Sequence, residues 1–142
     1  KRMYAPFKKP NSLLKKLGNL TTPFGGKTRG ESFHKGLDVA NKSGTTIPAL
    51  ANGTITGVGT TNNGFGNVVT LKDTSGNTHQ YSHLQKALKR PGQIVKKGQP
   101  IAKMGDSGNS YSETGNDSSH LDLRISNSYG RYFNPLTYLK NK

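Results

Sequence analysis

The sequence predicts an all-β fold, mostly antiparallel, with long loops bounding a groove. Three observations carry that prediction. Beyond residue 20, short runs of β-branched and other apolar residues are separated by Gly, Asn and Ser. Turn-forming groups, namely Asn52-Gly53, Asn62-Asn63-Gly64, Ser75-Gly76-Asn77, Gly98-Gln99-Pro100 and Gly105-Asp106-Ser107-Gly108, sit where those runs stop. Segments with a helical period are scarce, and residues 84–88 give a turn or two at most.

Taken in order, residues 1–20 are basic, carry Pro6 and Pro10, and show a short apolar pattern at Leu13, Leu14, Leu17 and Leu20. They predict a linker or packing arm with a brief helix from an Asn11 cap to Leu17, ended by Gly18. The domain proper is expected over 21–142. Strands are expected at 36–40, 46–49, 53–60, 67–72, 78–84, 101–104 and 120–125. Between the last two, residues 107–118 have no apolar periodicity, and a loop of that length is often functional, here as one wall of the groove. Residues 129–139, with Tyr132, Phe133, Pro135, Leu136, Tyr138 and Leu139, predict a clasp that packs the C-terminus.

At 142 residues the chain suits one domain with a closed core. With no cysteine, it has neither disulfides nor thiolate ligands, so a metal would be held by imidazole and carboxylate. No apolar run approaches the ~18 residues of a membrane span, and no signal peptide is visible. Starting at Lys1, the chain reads as a mature form or a piece of something longer. Its net charge of +14, from 21 Lys and Arg against 7 Asp and Glu, predicts attraction to polyanions. Nucleic acid is one such partner, yet no basic helix, finger or aromatic base-reading segment is present, so no specific nucleic acid is expected. Teichoic acid or another anionic wall polymer meets the same electrostatics.

The segment 119–125, Ser-His-Leu-Asp-Leu-Arg-Ile, alternates with a period of two. As a strand it sends Leu121, Leu123 and Ile125 to a core and puts His120, Asp122 and Arg124 on the other face. One reading of that face is a solvated ion-pair ladder, with His120 and Arg124 flanking Asp122. The other adds His34, Asp38 and His83, giving three imidazoles and two carboxylates, enough for a zinc site with catalytic groups beside it.

The chain resembles the lysostaphin-like, LytM-type zinc endopeptidases of bacterial cell walls over about residues 21–139. The resemblance rests on Pro23-Phe24-Gly25, His34-Lys-Gly-Leu-Asp38-Val-Ala, Pro48-Ala49, Ala51-Asn52-Gly53 and Phe65-Gly66-Asn67-Val68-Val69. It continues through Tyr81-Ser82-His83-Leu84, the run from Gly92 to Ile101, Gly105-Asp106-Ser107-Gly108 and Asn134-Pro135-Leu136. It implies the family's antiparallel groove, with His34 and Asp38 as zinc ligands and His83 and His120 as the catalytic pair. His120 is then the first choice for general base and His83 for oxyanion stabilisation, with exchange of the two roles open. Asn67 and Tyr81 are expected to help line the groove.

One ligand departs from the family. Where the second histidine of a His-x-His motif is expected, this chain has Asp122. An aspartate is a competent zinc ligand, but two carboxylates and one imidazole cancel the ion's charge, which makes a weaker Lewis acid and admits manganese or cobalt more readily. Arg124 stands where the family usually has an acid, and either neutralises Asp122 and leaves the site without metal, or orients one of its oxygens while the other binds zinc. The implied function is a zinc endopeptidase acting on peptidoglycan stems or cross-bridges, extracellular, in the cell wall or on a virion, as part of a larger protein such as a phage tail component. The alternative is a catalytically inactive scaffold or activator that binds the wall.

Overall fold

Apolar side chains at every second position of the longer strands decide which face of the sheet is buried, and the turns decide the strand order. The computed structural model describes residues 12–28, 31–108 and 119–142. In order they form α1 (Ser12–Leu17), β1 (Asn19–Thr22), β2 (Leu37–Ala40), β3 (Thr46–Pro48), β4 (Gly53–Thr60) and β5 (Asn67–Asp73). There follow β6 (Thr78–Ala87), β7 (Ile94–Val95), β8 (Pro100–Met104), β9 (His120–Ser126), β10 (Tyr132–Phe133), α2 (Pro135–Tyr138) and a 3-10 turn, Leu139–Asn141. All strands join one antiparallel sheet in the order β1-β2-β9-β6-β5-β4-β7, with β10 on β9 and β3 on β8, which itself joins β6. Among the described residues β1, β3, β7 and β10 have one neighbour each, and none is longer than four residues.

The all-β prediction matches this sheet, and the 53–60 strand has the predicted bounds. Three strands were not expected: β1 is polar, while β7 and β10 are too short to show a period. Residues 12–20, expected in the arm, are part of the packed domain. Leu14 and Leu17 of α1 are buried in the core and β1 pairs with β2, so there is no structural break at residue 20. The first eleven residues of the expected arm, with its proposed Asn11 cap, lie outside the described residues, as does 109–118 of the expected groove wall.

One face of the sheet packs Leu37, Val39, Leu71, Tyr81, Leu121, Leu123 and Ile125 into a single core. Burying seven such side chains at about 1.5–3 kcal/mol each supplies the main drive for closure. The solvated ladder on the opposite face of β9 is not found. Asp122 and Arg124 are 4% and 8% exposed, because the segment before β2 and the Phe65 ring cover them. Strand β9 is therefore buried on both faces despite its alternating sequence.

The C-terminal clasp is built as predicted. Asn134 caps α2 by accepting from the Leu136 N–H at 3.1 Å, and Pro135 follows at the first helical position. Tyr138 stacks on Phe133, donates from its hydroxyl to Asp73 Oδ2 at 2.5 Å and accepts from Asn77 Nδ2 at 2.7 Å. The same Asp73 oxygen also accepts from His79 Nε2 at 2.9 Å.

Candidate metal centre and histidine pair

The antiparallel register of β2 on β9 sets Asp38 directly opposite Asp122 and Ala40 opposite His120. Two like charges across one rung are unfavourable unless cations answer them, more so where they are buried. His34 is the first answer. The turn before β2 is pinned by Gly25 N–H donating to His34 O at 2.7 Å and His34 N–H donating to Gly26 O at 2.8 Å. That places His34 Nε2 3.0 Å from Asp38 Oδ1 and His34 Nδ1 3.1 Å from Glu31 Oε1. The approach needs a glycine at 36, where a Cβ would lie 2.5 Å from Asp122 Oδ1 and 2.7 Å from Arg124 Cγ.

Arg124 is the second answer. Its Nε donates to Asp122 Oδ1 at 3.1 Å and its Nη2 to Asp122 Oδ2 at 3.0 Å, while Nη1 and Nη2 reach the two Glu31 oxygens at 3.2 and 2.7 Å. Arg124 thus pairs with both oxygens of Asp122, the arrangement expected for neutralisation of that carboxylate rather than for orienting one oxygen and leaving the other free. Burial works against the charge on Arg124, but its bonds to Asp122 and Glu31 outweigh burial and raise its pKa further. Burial also opposes charge on His34 and Glu31. For His34 the Asp38 bond and charge, with Asp122 and Glu31, win and raise its pKa; for Glu31 the bonds to Arg124 and His34 win and lower it.

A divalent ion fits this donor set. His34, Asp38 and Asp122 each offer a ligand atom, all within 4.8 Å of one another. With Glu31 and Arg124 cancelling, a neutral His34 and two carboxylates carry the charge that one divalent cation neutralises. Each carboxylate oxygen has two lone pairs, so the Arg124 bonds leave Asp122 with acceptor capacity.

Next to this cluster lie the two remaining groove histidines, their ring centroids 4.6 Å apart. His83 has φ 63°, the one positive-φ residue other than glycine among the described residues. Such a conformation costs on the order of 1–3 kcal/mol and has to be held by its surroundings. Here the holders are explicit. His83 N–H donates to Phe65 O at 2.8 Å, and His83 Nδ1 donates to Ser107 O at 2.7 Å. Ser107 Oγ donates to Leu84 O at 2.7 Å and accepts from Asn67 N–H at 3.0 Å. Burial pushes the His83 pKa down and the charge of His120 adds to it, against the pull of the Ser107 bond and of Asp122 and Asp38. His83 is therefore a neutral imidazole with its proton on Nδ1.

The kink at His83 also corrects one sequence expectation. Strict alternation would give Tyr81 and His83 the same face, the groove. The irregularity between β5 and β6 moves His83 to the groove and leaves Tyr81 in the core, 0% exposed, with its hydroxyl oxygen accepting from Leu50 N–H at 3.1 Å. Asn67 is half-buried beside the site, where its Nδ2 donates to Leu84 O at 3.0 Å and its Oδ1 accepts from Thr60, so it braces β6. Glu31, Ser107 and Phe65 were not foreseen as site residues. A glutamate three positions before a ligand histidine was the available signal for Glu31.

A model of peptidase family M23 matches residues 32–135. The murein hydrolase activator NlpD of Escherichia coli is 34% identical over 112 residues, covering 79% of this chain and 27% of that one. The chain thus spans little more than a quarter of that relative's length. Among solved structures, the catalytic domain of the antimicrobial peptidase lysostaphin from Staphylococcus simulans has a TM-score of 0.75 at 28% identity, covering 92% of this chain and 98% of that one. A zinc-containing peptidase from Vibrio cholerae has a TM-score of 0.70 at 25% identity, covering 91% and 38%.

Proposed function

The chain belongs to peptidase family M23, and on that premise we propose that it is a metal-dependent endopeptidase acting on peptide bonds of bacterial peptidoglycan. The observation that carries the proposal is His83. A buried imidazole held in a costly backbone conformation beside a second histidine is the kind of arrangement that supplies an acid–base pair to a hydrolase.

His34, Asp38 and Asp122 are the residues that would hold zinc, with manganese or cobalt as substitutes, and zinc when bound supplies Lewis acidity and acidifies water. The chain's own residues divide the proton work. Because His83 Nδ1 donates to Ser107 O, its Nε2 carries the lone pair and accepts a proton from the attacking water. His120 then serves as the donor that stabilises the oxyanion. This exchanges the roles first expected for the two histidines. Arg124 and Glu31 keep Asp122 and His34 oriented and exclude water from behind them.

The surface supports an anionic polymer as the setting. Among the described acids, Glu31, Asp38, Asp73 and Asp122 lie in the two buried networks and Asp106 is exposed, so the outer face is almost uniformly cationic. Teichoic acid or another wall polyanion would hold the enzyme at its substrate, in the cell envelope or on a wall-penetrating particle. Among the described residues, no helix is long and apolar enough to cross a membrane.

A second reading, a wall-binding activator without catalysis, is favoured by the double Arg124 bond to Asp122 and by the likeness to NlpD, a murein hydrolase activator. Dye release from purified walls, run beside metal analysis, separates the two. The expected result is one zinc per chain, clearance lost on chelation and clearance restored by zinc. Wall binding with no bound metal and no clearance establishes the activator instead, and clearance that survives complete metal removal excludes the mechanism.

A further inference from the structure

We infer that Glu31 is a positioning residue of the metal centre, acting with Arg124 as the pair that allows a carboxylate to serve at position 122. The inference rests on the metal-centre reading above and extends it to a residue outside the ligand set. Glu31 touches that set twice. Its Oε1 accepts from His34 Nδ1 at 3.1 Å, and both its oxygens accept from Arg124, which in turn holds both oxygens of Asp122.

Each contact has a chemical consequence. A carboxylate on Nδ1 keeps the proton there and leaves Nε2, the atom facing Asp38, as the ligand nitrogen. The second contact concerns charge. Placing an aspartate where an imidazole is expected adds a negative charge, and Arg124 offsets it. Paired with Asp122 alone, Arg124 would leave only Asp38 as net negative charge facing a divalent ion, with the guanidinium repelling that ion at close range. Glu31 removes that repulsion and draws the guanidinium partly away from Asp122, so the fork is shared between two carboxylates. The Phe65 ring, 4.7 Å from Arg124 Cζ, covers one guanidinium face and limits the plane the fork can take. Glu31, Arg124 and Asp122 therefore form one unit, in which the effect of losing one member depends on whether the others are present.

The test measures zinc affinity by competition with a chromophoric chelator, on metal-free protein whose fold is checked by circular dichroism. Glu31→Gln is expected to weaken zinc binding by about 10–100-fold, and Glu31→Asp, which keeps the charge, to restore part of it. The double variant Glu31→Gln with Arg124→Gln is expected to bind more tightly than Glu31→Gln alone, because the stranded cation is gone. A purely structural role predicts a double variant equal to or worse than the poorer single one. Nitrogen-15 spectra of the zinc-loaded wild type give a readout that needs no variant: His34 is expected to carry its proton on Nδ1 and the metal on Nε2. Wild-type affinity in Glu31→Gln, or zinc on Nδ1, overturns the inference and leaves the metal centre standing. A wild type that takes up no zinc overturns both.

Discussion

Two histidine–aspartate pairs of nearly equal length lie on opposite faces of the same sheet, His34–Asp38 at 3.0 Å in the groove and His79–Asp73 at 2.9 Å on the core side. They respond to their surroundings in opposite directions. His79 is 0% exposed; burial dominates, Lys142 adds to it, and the single carboxylate of Asp73 does not recover the charge, so its pKa falls. His34 is buried too, but it has Asp38, Asp122 and Glu31 around it and its pKa rises. Among the described residues, the second pair has no third ligand atom converging on it. Tyr138 and backbone or side-chain groups of the 75–77 turn take up the remaining Asp73 capacity, and His79 Nδ1 is buried without a hydrogen-bond partner. A close imidazole–carboxylate contact is therefore not what makes a metal site. The surplus of negative charge and the open convergence of donors are.

Four changes would break or sharpen that contrast. The largest effect is expected in the groove: His83→Ala should lower wall clearance by about 10²–10⁴-fold with metal content unchanged, and clearance within tenfold of wild type would remove His83 from the mechanism. His79→Ala should do the reverse. It removes a buried ring and its hydrogen bond to the Asp73 carboxylate and should cost roughly 3–5 kcal/mol in urea unfolding, while the folded fraction clears walls normally; reduced specific activity would show that the two faces are coupled.

Tyr138→Phe removes one charge-assisted bond and should cost about 1.5–3 kcal/mol, a smaller loss than at His79; an equal or larger loss would make the clasp, not the ion pair, the main element. The smallest effect is in the pH profile. A buried His79 refuses a proton that the unfolded chain binds near 6.5, so its contribution is full above about pH 6.5 and declines as pH drops through that value. His34 in the metal-free chain has the opposite sign: its contribution is present below about 6.5 and is lost as pH rises through its higher folded value. Site-resolved NMR titration should put His79 below 6.5 and His34 above it, and the same direction for both would dissolve the comparison.

Much of this was legible in the sequence where one rule dominates. The alternation in 120–125 and the turn signals around 53–60 mark both strands, and the pairing of β2 with β9, with the turn before β2, brings His34, Asp38 and Asp122 together as the family resemblance implied. What escaped depended on exceptions or on distance. The resemblance implied Tyr81 as a groove residue through its place beside His83, and the left-handed residue at 83 is what separates the two, leaving Tyr81 in the core. Glu31 meets Arg124 across 93 positions, and no local pattern announces such a pair. His79 sits in a strand that reads as half-wet, and its carboxylate partner comes from beyond a turn, so the second pair went unnoticed. Ser107 acts through its backbone oxygen, which no side-chain motif encodes.

The strands with only one neighbour, β1, β3, β7 and β10, are all four residues or fewer, and β1 carries a register irregularity. Long, flat margins would let molecules zip together into aggregates whenever they are crowded. A cationic protein gathered on a polyanionic matrix is crowded by that very attraction. Clipped margins would let such a protein gather there at high density as separate, still diffusing molecules.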